Sequence, residues 1–96
     1  MDVNIKKVLL ILLNEEFLVS SWGLSDISIT RTSIYFHVDG FVYKGGIRIG
    51  CDNLGYQITF DDGRIIHCSL HDLVSVLDSN IEKNDDYIQN LELWLS

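Results

Sequence analysis

The sequence predicts an α+β fold with an N-terminal helix, an antiparallel meander of four to five strands, and two C-terminal helices. Three observations predict it. Apolar residues recur at three- and four-residue steps over residues 4–20. They recur at every second residue over 26–68, and at helical steps again after Cys68. Strands and helices segregated in this way pack as helices on one face of a sheet.

The N-terminal helix is read from Ile5, Val8, Leu9, Leu12, Leu13 and Phe17. Leu10 and Ile11 add a second apolar face, the pattern of a helix covered on two sides. Gly23, just after Trp22, stands where a left-handed residue stops a helix. One helix over 4–20 is therefore expected, with one face on the sheet. The other face must meet the C-terminal helices or a second chain, and a homodimer is the commonest solution for a soluble protein.

The strands follow by period two. Ile27 and Ile29 alternate with Ser28 and Thr30, and Ile34, Phe36 and Val38 with Tyr35 and His37. Phe41, Tyr43, Ile47 and Ile49 share one parity, and Tyr56, Ile58 and Phe60 share another. Thr32-Ser33 breaks the first strand from the second. Asp39-Gly40 reads as a two-residue hairpin, Asp61-Asp62-Gly63 as another and Asn53-Leu54-Gly55 as a third. Gly45-Gly46 reads as either a bulge or a turn.

After Cys68, Ser69 and Asp72 are spaced close to a capping box. Leu70, Leu73, Val74, Leu77 and Ile81 form the stripe of the next helix. Asn84 or Asp85 caps a last helix, whose apolar face is Tyr87, Ile88, Leu91, Trp94 and Leu95.

Length and composition bound the function. The 96 residues fit a single domain, 1–96. A hydrophobic content of 47% excludes a disordered chain, and two cysteines are too few for a disulfide scaffold. The opening Lys6-Lys7 and apolar run 8–13 resemble a signal peptide. Asn14-Glu15-Glu16 cuts that run short and no cleavage site follows, so a cytoplasmic protein with reduced Cys51 and Cys68 is expected. The apolar run is too short to span a membrane.

The net charge of −7 is unevenly placed. Residues 1–50 carry five acids and five bases, whereas residues 51–96 carry nine acids against Arg64 and Lys83. Such a face keeps a small protein soluble. It can also steer the chain onto a basic groove by imitating a phosphate array. Small acidic inhibitors of nucleic-acid enzymes use this logic, among them immunity proteins against nuclease toxins and anti-CRISPR-type inhibitors of defence nucleases. The analogy is one of size and charge alone. The expectation is a non-catalytic protein–protein interaction module. More specifically, it is an acidic stoichiometric inhibitor of a basic, nucleic-acid-handling partner such as a nuclease. Asp78, Glu82, Asp85, Asp86, Tyr87 and Glu92 are the expected partner-binding residues. Trp94 is a further aromatic anchor, better read as core.

Other chemistry is weaker. His67, Cys68 and His71 are the densest reactive cluster, but His67 falls on a strand, and a metal site or Cys–His nucleophile lacks its remaining groups. Arg31, Lys44 and Arg48 can share the polar sheet face with Tyr35, a small basic patch that the net charge opposes as a nucleic-acid site. Neither a catalytic residue, a metal nor a cofactor is expected. The alternative function is a self-associating structural or regulatory α+β protein.

Overall fold

The computed structural model describes residues 3–53 and 55–82, with the backbone alone for Phe17 and Leu18. Eight elements follow in order: α1 (Val3–Asn14), α2 (Glu16–Ser21), β1 (Ser25–Ile29), β2 (Ser33–Asp39), β3 (Lys44–Asp52), β4 (Gly55–Phe60), β5 (Ile65–Cys68) and α3 (Leu73–Ile81). The five strands form one sheet whose spatial order is the sequence order, every neighbouring pair antiparallel. The second expected C-terminal helix lies outside the described residues. None of the described helices is long and apolar enough to cross a membrane.

Periodicity fixes the core. Ile5, Val8 and Leu12 of α1 are buried, three and four residues apart. Alternate residues of the central strands meet them: Ile34, Phe36 and Val38, then Ile47 and Ile49, then Tyr56, Ile58 and Phe60. Leu73, Leu77 and Ile81 of α3 complete the same cluster. Both long helices therefore lie on one face of the sheet. Tyr56 joins the layers by donating its phenol to the carbonyl of Asn4 on α1 at 3.1 Å.

Four local expectations change. The helix expected over 4–20 is two helices, broken at Glu15, whose φ of −100° and ψ of 49° leave the helical region. The break redirects the chain so that Trp22 enters the core. Gly23 then stops α2 with φ +62°, as its position predicts. Asp39-Gly40 is not a two-residue hairpin. Asp39 pairs with Lys44, so four residues form the loop, and Phe41 stands exposed in it. Gly45-Gly46 is neither bulge nor turn, because β2 and β3 pair without a shift from Ser33↔Gly50 to Asp39↔Lys44. A side chain at Gly46 would collide with the Tyr35 hydroxyl and the Asp61 carboxylate. The irregularity falls in β1, where register shifts between Ser25 and Ser28 around Asp26 at φ +52°.

Tyr35 and Asp61 belong to a polar network at the end of the sheet. Asp61 Oδ2 accepts from the Gly46 amide at 3.1 Å and from the Tyr35 hydroxyl at 3.2 Å. Tyr43 donates to the Gly46 carbonyl at 2.8 Å and accepts from the Asp61 amide at 3.1 Å. Burial pushes the Tyr43 phenol above its ordinary value near 10, and the Asp61 and Asp62 carboxylates add to it. Burial, then Asp61, raises Tyr35 in the same direction. A tyrosine raised in the folded state favours folding while neutral. That contribution is present below the free value and is lost as pH rises through the folded one. Stability should therefore fall as pH climbs past 10, and Tyr43→Phe should flatten part of the fall. Denaturant melts at pH 8, 10 and 11 read this directly, and an unchanged alkaline slope in the variant would remove Tyr43 from the account.

Candidate interaction surface

The expected acidic surface does not assemble from the described residues. Asp78 is 5% exposed and its Oδ1 accepts the indole N–H of Trp22 at 3.1 Å. It ties α3 to the end of α2 and faces the core, where it cannot present a carboxylate to a partner. Position 78 follows Leu77 on the inner side of α3, and a buried donor from 56 residues away helps to make an acid tolerable there. Glu82 caps the end of α3 and is half-buried. Asp85, Asp86, Tyr87 and Glu92, with Trp94, lie outside the described residues.

Most other acids of the second half are engaged within the fold. Asp52 meets His67 at 3.1 Å. Asp62 accepts from Arg64 Nε at 2.9 Å and from the Arg64 amide at 3.0 Å, which holds its carboxyl below the usual range. Asp72 exchanges hydrogen bonds with Ser69, half of the expected capping box, one turn ahead of α3.

The reactive trio does not converge. Strand alternation on β5 sends His67 and Cys68 to opposite faces, and His71 lies in the turn beyond. Burial and the nearby Asp72 push the Cys68 thiol up, away from the reactive thiolate. No group of three or more metal-ligating side chains gathers among the described residues. Arg48 does lie over Tyr35, 5.4 Å from the ring centroid, on the sheet face away from the helices. Lys44 is paired with Asp39 at 3.5 Å, and Asp61 sits beside Tyr35, so the patch carries little net positive charge.

A different surface stands out. Leu9, Leu12 and Leu13 of α1, Val19 of α2, Leu24, and Ile27, Ile34 and Phe36 of the sheet line an almost wholly apolar groove. Leu9 and Leu13 continue it onto the outer side of α1, with Leu10 and Lys6. Leu13 is 73% exposed, Ile27 56% and Leu10 53%. Large aliphatic side chains clustered in this way mark interaction sites on soluble proteins. Of the second apolar face of α1, Leu10 joins this surface and Ile11 lies instead beside Leu70, His71 and Val74, while Leu9 and Leu13 belong to the stripe expected on the sheet. The share of β1 in the surface has no sequence signal, because Ile27 and Ile29 alternate as buried residues do, yet all five residues of β1 are exposed.

The charges at the two ends of α1 are also placed unusually. Lys6 and Lys7 lie near the N-terminus of α1, and Glu15 and Glu16 follow its C-terminus. All four are exposed, and none belongs to an ion pair among the described residues. A helix dipole favours the opposite arrangement, with acids first and bases last.

The class these features define is an α+β domain with helices on one face of an antiparallel sheet and an open apolar face beside its first strand. Comparison with protein-family models, with curated proteins and with solved structures finds no match to this chain.

Proposed function

We propose that this chain is a non-catalytic protein–protein interaction module that binds through the apolar face of α1, α2 and β1. The observation that carries this reading is the continuity of Leu9, Leu10, Leu13, Val19, Leu24 and Ile27 into one exposed surface on a rigid helix–sheet frame. Surfaces of this kind gain affinity by excluding water from a few aliphatic anchors.

A second reading has its own observation. The whole charge imbalance lies in residues 51–96, which supports an acidic stoichiometric inhibitor of a basic, nucleic-acid-handling protein. Asp78 has no part in it, because it is buried. Glu82, Asp85, Asp86 and Glu92 would carry it, with Tyr87 as anchor.

One experiment separates the two. Immobilised chain is exposed to the host lysate at 0.1 and 0.5 M salt, alongside Leu10→Glu and a Glu82→Lys/Asp85→Lys/Asp86→Lys variant. Apolar docking predicts that binding survives salt and the triple reversal and is lost in Leu10→Glu. Acidic inhibition predicts the reverse, since exposed charge is screened beyond ~10 Å at 0.1 M. Capture that is insensitive to both variants removes both surfaces.

A further inference from the structure

We draw no further inference here: the strongest candidate, the open apolar face where Leu9, Leu10 and Leu13 of α1 meet Leu24 and Ile27 beside the edge of the sheet, carries nothing more because nothing in the structure shows what covers it.

Discussion

Trp22→Ala should be the most damaging single truncation among the described residues, costing ~3–5 kcal/mol. The indole is fully buried, and its N–H is a donor to the Asp78 carboxylate. Its backbone carbonyl also accepts the Asp39 amide at 2.9 Å. One residue thus joins α2, α3 and the end of β2. At ~4–8 °C per kcal/mol for a domain of this size, the melting temperature should fall by at least ~12 °C. Trp22→Phe separates the two contributions. It keeps most of the ring volume and removes the donor to a buried carboxylate, an effect of ~1–3 kcal/mol. Urea denaturation of the three proteins measures both. If Trp22→Phe matches the wild type, the Asp78 bond adds nothing to stability, and the burial of Asp78 needs another cause.

Gly40→Ala comes next, at ~1–3 kcal/mol. A Cβ there would collide with the Ile81 side chain and lie 2.5 Å from the Ile81 carbonyl oxygen. That oxygen accepts the amides of Val42 at 2.7 Å and Tyr43 at 3.2 Å, so the loop is fastened to the last turn of α3 by its backbone. The obstacle is main chain, which cannot swing aside as a side-chain tip can. The loss should appear in both melting temperature and amide exchange at Val42 and Tyr43. Gly63→Ala is the informative comparison. Open space surrounds Gly63, but its φ is +98°. Its cost is backbone strain alone, ~1–2 kcal/mol, with no change in exchange at Val42. Equal exchange patterns in the two variants would show that the Gly40 contact is not what holds the loop.

These two positions also show where sequence reasoning stops. The strand before Gly40 and the helix ending at Ile81 are both legible, yet their meeting is not. Gly40 reads as half of a tight turn because Asp-Gly suits one locally. The structure uses the glycine for a contact 41 residues away. Asp78 reads as surface because acids usually are, and its burial depends on a tryptophan 56 residues earlier. Gly45-Gly46 reads as an interruption, while the room it makes for Tyr35 and Asp61 is visible only once three strands are side by side.

What the sequence determines by itself is whatever depends on period and local geometry. Ile5, Val8 and Leu12, the alternating residues of β2 to β4, and Leu73, Leu77 and Ile81 are all buried as their spacing requires. A helix or strand has a fixed period, so an apolar face can be counted along the chain. The left-handed stop at Gly23 and the Ser69–Asp72 turn are local in the same sense. Tertiary structure alone decides which apolar residues run out of neighbours. Ile27 and Ile29 have the alternation of buried residues, but β1 is an edge strand and the helices reach only part of it. Leu10 and Leu13 belong to a helix with two apolar faces, and the sheet covers only one. Burial depends on the number of partners in space, which spacing along the chain does not encode, and the open face of α1 is the consequence.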